Sequence, residues 1–117
     1  MEYRPGKHII ATLRTNNNQL LHYSAPFRQK IDELIQVYQL NRLGEVYHDF
    51  SPSGFTAVIC LSESHISIHT WPEHHLVNID IYLSNFNRNN DGTVTGIYDA
   101  CRLFFEAEVT NEHTITR

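Results

Sequence analysis

Four segments of extended character in the middle of this chain constrain its fold more than any other feature. They occupy residues 44–50, 55–61, 63–71 and 77–83. In most of them apolar and polar side chains alternate, a pattern that is typical of strands that bury one face. A Ser-Pro-Ser-Gly turn at residues 51–54 joins the first two, which we therefore expect to form a hairpin.

Two helices are expected to interrupt the strands. Ser24 is placed to cap the first helix, which runs to about residue 40. Thr93 is placed to cap the second, whose buried stripe comprises Val94, Ile97, Tyr98, Cys101, Phe104 and Phe105. Residues 8–13 are expected to form the first strand and residues 108–116 an edge strand. This order predicts an α+β fold, a two-layer sandwich with a mainly antiparallel sheet and two helices on one face.

Composition excludes several classes of function. The 117 residues suit a single domain, 1–117, and the net charge of −4 with no basic cluster argues against binding nucleic acid. No apolar stretch is long enough to span a membrane, and we expect no signal peptide. Cys60 and Cys101 are both expected to pack as small hydrophobic residues. Two unpatterned cysteines suggest a reducing compartment, so we expect a cytoplasmic protein.

The pair Glu63-Ser64 carries the most specific chemistry. The Ser64 hydroxyl can attack the carbonyl of Glu63 and convert the amide to an ester. Removal of the Ser64 Cα proton then eliminates the ester and leaves dehydroalanine, which hydrolyses to a pyruvoyl group. These steps need a proton donor and a base, and histidine serves as both near neutral pH. The backbone there must be strained or specially hydrogen-bonded.

A metal site is a second interpretation of the same region, because four histidines cluster there. They are His65, His69, His74 and His75, and Glu73 and Asp80 could add oxygen ligands. Imidazole is a common zinc ligand, but the segment has neither a cysteine pair nor an HExxH pattern, so we expect no metal. His74 and His75 are expected to face solvent in a turn, and His8 and His48 are interpreted as ordinary strand histidines.

The string ESHISIHTWPE at residues 63–73 resembles the active-site segment of the prokaryotic S-adenosylmethionine decarboxylases, which are pyruvoyl enzymes. The preceding His48, Phe50, Pro52 and Gly54 and the opening Gly6-Lys7-His8 extend the likeness, which covers about residues 6–83. The resemblance implies cleavage between Glu63 and Ser64, giving chains 1–63 and 64–117. It also implies that Ser64 becomes the pyruvoyl cofactor, which forms a Schiff base with the substrate amine and accepts electrons as carbon dioxide leaves.

The resemblance also assigns roles to other side chains. It implies that His69 serves processing as proton donor and base, and that Thr56 stands where the family has a processing serine. Phe50 and Trp71 would surround the adenosyl group, and Glu73 would bind the ribose hydroxyls. The substrate would be S-adenosylmethionine, and its product would feed spermidine synthesis. The family forms dimers with active sites near the subunit interface, so a homodimer or higher homo-oligomer is expected.

One position departs from the family pattern. Ser84 stands where the family has the cysteine that protonates the carbanion, and a hydroxyl is a weaker acid than a thiol. Three interpretations stay open: a slower decarboxylase in which Ser84 relays a proton, a paralogue that decarboxylates arginine or ornithine, and a non-catalytic homologue that binds a ligand or regulates a partner. The decarboxylase is favoured because Phe50, Trp71 and Glu73 are retained.

Overall fold

The computed structural model describes residues 3–117. These residues form six strands, β1 to β6, with the bounds Lys7–Thr15, Arg42–Asp49, Phe55–Leu61, Ser64–Trp71, Leu76–Leu83 and Ala107–Thr116. Helix α1 spans Ala25–Val37 and helix α2 spans Asp91–Phe105. Short 3-10 turns lie at Asn18–Leu21 and Pro72–His74.

The strands form one antiparallel sheet in the order β2-β3-β4-β5-β1-β6. Strands β2 and β3 make the expected hairpin, and β6 is the expected edge strand beside β1. Strands β3 and β4 pair from Leu61 opposite Ser64 onward, which leaves only Ser62 and Glu63 in their connection. Strand β4 is therefore held on both sides, by β3 and by β5.

Both helices pack on one face of the sheet, which confirms the predicted two-layer α+β sandwich. The Phe27 ring of α1 stacks on Phe105 of α2 at 5.6 Å between centroids and meets Phe55 of β3 at 5.8 Å. Cys101 is fully buried in this core, and burial raises the pKa of its thiol to about 12. Cys60 is exposed, contrary to expectation, because it occupies an outward-facing position of β3.

The opposite surface of the sheet, here named the open face, is covered by neither helix. It exposes several large apolar side chains by between 39% and 65%: Ile10, Val46, Val58, Trp71 and Ile115. Polar side chains of β4 and β5 lie among them, including His65 and Asp80. These side chains would be covered if another chain packed on the open face.

The helix starts differ from the sequence expectations. Ser24 occupies the N-cap position of α1, but its side chain makes no capping hydrogen bond; its backbone N–H donates to Asp49 Oδ1 at 2.9 Å. Helix α1 ends at Val37, before the expected residue 40. Helix α2 begins at Asp91, so its N-cap position falls on Asn90 and not on Thr93. The Asn90 side chain makes no capping hydrogen bond, and the Asn89 carboxamide accepts one from the Asp91 N–H at 2.9 Å.

Membrane-spanning helices are absent from residues 3–117, since neither α1 nor α2 has the length and apolar character that crossing a bilayer requires.

Candidate active site

The connection between β3 and β4 places Glu63 and Ser64 at the tip of a tight hairpin. Ser64 is the first residue of β4 and has a φ of 144°, a value that side-chain-bearing residues rarely adopt. Such a conformation costs on the order of 1–3 kcal/mol and persists only where the surroundings impose it. The strain expected at this serine is therefore present.

The Glu63 carbonyl is held by a backbone donor. The N–H of Ser84, just after β5, donates to the carbonyl oxygen of Glu63 at 2.7 Å. A donor at this oxygen also stabilises the negative charge that develops there when a nucleophile attacks. The Ser84 side chain lies beside the same tip, in a pocket of about 390 Å³ that Glu63 also lines.

The Glu63 side chain is anchored as firmly as its carbonyl. Arg88 donates two hydrogen bonds to its carboxylate, at 3.0 and 3.2 Å, and Asn90 donates a third. Burial alone would raise the pKa of Glu63, but these donors outweigh it and hold the pKa below the ordinary value. Asn90 is fully buried and also donates to the Ser84 carbonyl at 2.8 Å, so it joins the two segments.

The other residues that the sequence singled out meet at a separate pocket, here named the aromatic pocket. It has a volume of about 560 Å³, and its lining includes all three proposed substrate-binding residues and two processing residues: Phe50, Thr56, His69, Trp71 and Glu73. The Thr56 hydroxyl lies 2.6 Å from His69 Nδ1. The Trp71 indole donates to Asn78 Oδ1 at 2.7 Å, which fixes the ring at the pocket wall.

One chain does not bring the two groups together. Ser64 and His69 both belong to β4, five residues apart, which corresponds to about 16 Å along an extended strand. Glu63, Ser64 and Ser84 therefore form one group, named the serine site, and the aromatic pocket forms another. The serine site thus lacks His69 and Thr56, and the aromatic pocket lacks Ser64.

A cluster that the sequence analysis missed lies on the open face beside the serine site. His8 of β1 and His65 of β4 both approach the carboxylate of Asp80 on β5, the second at 3.4 Å. His65 Nδ1 also lies 3.2 Å from Ser64 Oγ. His8 is therefore more than an ordinary strand histidine. The alternation of side chains along β4 predicts His65 on this face. Only the register of β1, β4 and β5 brings Asp80 between the rings of His8 and His65.

The remaining histidines behave more simply. His74 is exposed in the short turn after β4, as expected, and His75 is half-buried with a left-handed backbone, φ 58°. His65 is grouped with His8 and Asp80, and these three are the residues in the described part of the chain whose side chains converge as metal ligands would.

Fold and site together define the class: an α+β domain with a candidate self-cleaving serine at a strained hairpin tip. Residues 7–117 match the sequence model of the family described as S-adenosylmethionine decarboxylase, and this chain belongs to that family. Two relatives are both named S-adenosylmethionine decarboxylase proenzyme. The protein of Archaeoglobus fulgidus is 37% identical over 101 residues, 86% of this chain and 84% of the relative.

The second, from Thermoplasma acidophilum, is 31% identical over 102 residues, 87% of this chain and 78% of the relative. The match spans less of some others, for example 58% of the Hydrogenobaculum proenzyme. The crystal structure of the adenosylmethionine decarboxylase from Aquifex aeolicus VF5 superposes with a TM-score of 0.79 at 25% identity, covering 99% of this chain and 91% of that one.

Proposed function

We propose that this chain is a single-domain S-adenosylmethionine decarboxylase that cleaves itself between Glu63 and Ser64 and supplies decarboxylated substrate for spermidine synthesis. The observation that carries the proposal is the strained Ser64 at the hairpin tip, with the Glu63 carbonyl already hydrogen-bonded by the Ser84 N–H. The proenzyme names of the relatives support it.

Self-processing would use the serine site. The Ser64 hydroxyl attacks the Glu63 carbonyl carbon, and the Ser84 N–H stabilises the charge on the carbonyl oxygen. Collapse toward the ester releases the strained peptide unit at Ser64, which favours the reaction. Anchoring of the Glu63 carboxylate by Arg88 and Asn90 keeps the tip in place while the bonds change.

The residues around Ser64 fit the pyruvoyl group that processing would create. A group at the start of chain 64–117 would lie at the hairpin tip, close to the half-buried Ser84 and next to the 390 Å³ pocket that Glu63 and Ser84 line. When present, it supplies the electron sink for loss of carbon dioxide. Ser84 is placed to deliver or relay the proton that the product then requires.

Recognition of the adenosyl group is assigned to the aromatic pocket. Phe50 and Trp71, each about half exposed, offer flat apolar surfaces for the adenine ring. Glu73 is exposed at the same pocket, where its carboxylate can accept hydrogen bonds from ribose hydroxyls.

A complete site requires a second copy of the chain. We propose a homodimer, alone or within a higher homo-oligomer, in which two open faces pack against each other. A two-fold axis between the sheets and across β4 would lay the two β4 strands antiparallel. His69 and Thr56 of one copy would then approach Ser64 of the other, across the roughly 10 Å that separates packed sheets. His69 would then reach the second copy's Ser64 as proton donor and base for processing.

Intact mass of the purified protein under denaturing conditions tests the function. We expect two chains split after Glu63, with a borohydride-reducible carbonyl at the start of the smaller one, and an uncleaved Ser64→Ala control. A single 13.6 kDa species would overturn the proposal.

Release of labelled carbon dioxide from S-adenosylmethionine, arginine and ornithine then identifies the substrate. We expect release from the first alone, because the relatives carry that name and the aromatic pocket suits a nucleoside. The two free cysteines favour the reducing cytoplasm as the site of action.

A further inference from the structure

A chain of polar contacts leads from the Ser64 hydroxyl across the open face. Ser64 Oγ lies 3.2 Å from His65 Nδ1, and His65 Nε2 lies 3.4 Å from Asp80 Oδ1. Asp80 Oδ1 also contacts His8 Nε2, and Arg117 Nη1 donates to His8 Nδ1 at 3.2 Å. These contacts thus cross β4, β5 and β1 and end at Arg117.

The contacts agree with one set of protonation states. Because Arg117 donates to His8 Nδ1, that nitrogen carries a lone pair, and the His8 hydrogen lies on Nε2, toward Asp80. The ionised carboxylate of Asp80 likewise favours a hydrogen on His65 Nε2. His65 Nδ1 is then left as an acceptor, directed at the Ser64 hydroxyl.

We propose that His65 is the base that activates Ser64 for the amide-to-ester step and that Asp80 orients it. The proposal rests on self-processing at Ser64, and it divides that chemistry between two histidines of different copies. His65 takes the hydroxyl proton within its own chain. His69 of the second copy is left with the later removal of the Cα proton.

The step balances without any co-reactant. As Ser64 Oγ bonds to the Glu63 carbonyl carbon, its proton passes to His65 Nδ1, and the imidazolium that forms is stabilised by Asp80. When the carbon–nitrogen bond breaks, the same proton goes to the leaving amine of Ser64. One amide and one hydroxyl become one ester and one amine, and His65 returns to its neutral form.

His65→Asn tests the assignment, because the Asn carboxamide keeps an acceptor near the Nδ1 position but is not basic. Nascent protein from cell-free synthesis is followed by denaturing mass spectrometry for chains 1–63 and 64–117. We expect cleavage at least about a hundred-fold slower than in the wild type. His74→Asn, the same change at an exposed histidine outside the serine site, should cleave at the wild-type rate.

Hydroxylamine distinguishes a failure to form the ester from a failure of the later elimination, because it cleaves esters but not amides. We expect it to release no chain 1–63 from His65→Asn, whose thermal unfolding should match that of Ser64→Ala. Release at the wild-type rate would mean that the ester forms without His65 and would overturn the assignment. A wild type that never splits would instead refute self-processing itself.

Asp80→Asn and Asp80→Glu together test the orienting role. His65 is faced by Asp80 and Tyr82 from β5, by Cys60 from β3 and by His8 from β1, with Arg117 behind His8. Asp80→Asn removes the negative charge that stabilises the imidazolium, so the cleavage rate should fall by about tenfold or more. Asp80→Glu keeps the carboxylate and should restore most of the rate. Equal cleavage rates in Asp80→Asn and the wild type would overturn this part of the proposal.

Discussion

Ser84 serves the serine site through two chemically different groups. Its backbone N–H holds the Glu63 carbonyl, and any residue except proline supplies such a donor. Its side chain is assigned the later protonation step, for which a hydroxyl is poorly suited. Self-cleavage would therefore depend on the Ser84 backbone, and decarboxylation on its side chain. The replacement of the family's cysteine by Ser84 should then slow only decarboxylation.

Ser84→Cys should raise the rate of decarboxylation by about tenfold or more if protonation limits turnover, because a thiol is the stronger acid. The rate of self-cleavage should stay as in the wild type, since the backbone donor is retained. Carbon dioxide release and intact mass measure the two rates. Equal turnover in both proteins would show that another step limits the reaction.

Glu63 makes the hairpin tip sensitive to acid. Because its pKa is lower in the folded chain than in the unfolded one, its contribution to stability is full above its ordinary pKa. That contribution is lost as pH falls through the lowered value. In the uncleaved Ser64→Ala background, Glu63→Gln should lower Tm at pH 7, and the difference should vanish in strong acid. A difference in Tm between the two proteins that persists at every pH would contradict this account.

At the scale of elements, the start of α2 fastens the hairpin to the end of β5. Asn90, immediately before the helix, bonds to both Glu63 and Ser84 and is fully buried. The position of the peptide bond between Glu63 and Ser64 thus depends on the start of a helix that packs on the covered face of the sheet.

Asn90→Ala should lower the free energy of unfolding by about 1–3 kcal/mol, because it leaves buried polar groups without partners. Urea unfolding of the Ser64→Ala chain measures the change. Asn87→Ala, in the exposed part of the same loop, is the matched control and should have little effect. Equal losses in the two variants would show that the loop as a whole, and not Asn90, fastens the tip.

The alternation of apolar and polar residues predicted the strands well. Residues such as Val77, Ile79 and Ile81 can be recognised as buried from their immediate sequence neighbours alone. The start of α2 was missed because its N-cap position falls on Asn90, one of several polar residues in a loop with no distinguishing pattern. Glu63 and Ser64 were found because the segment ESHISIHTWPE resembles the active-site segment of the family, and the chemistry of an adjacent serine hydroxyl and carbonyl agrees with it. The His8–Asp80–His65 cluster was not, because it joins residues up to 72 apart in sequence through strand register.

At the scale of the whole molecule, the serine site at the hairpin tip and the aromatic pocket lie apart in one chain, and the proposed dimer would bring them together. Coexpression of Ser64→Ala with His69→Ala tests whether a second copy completes them. Neither variant alone should process. In mixed dimers the His69→Ala chain should be cleaved, because its Ser64 meets an intact His69 from the Ser64→Ala partner. Failure to cleave in verified mixed dimers would contradict the paired arrangement.

The two-residue connection between β3 and β4 also determines what the proposed cleavage would leave behind. Both strands would keep their hydrogen-bonded neighbours, so the two fragments would stay together as a complementing pair. Unfolding would then separate two molecules, and the melting temperature of the cleaved protein would depend on its concentration. The proposed cleavage would thus replace a covalent connection by an association equilibrium, and dilution would destabilise the cleaved protein but not the uncleaved chain.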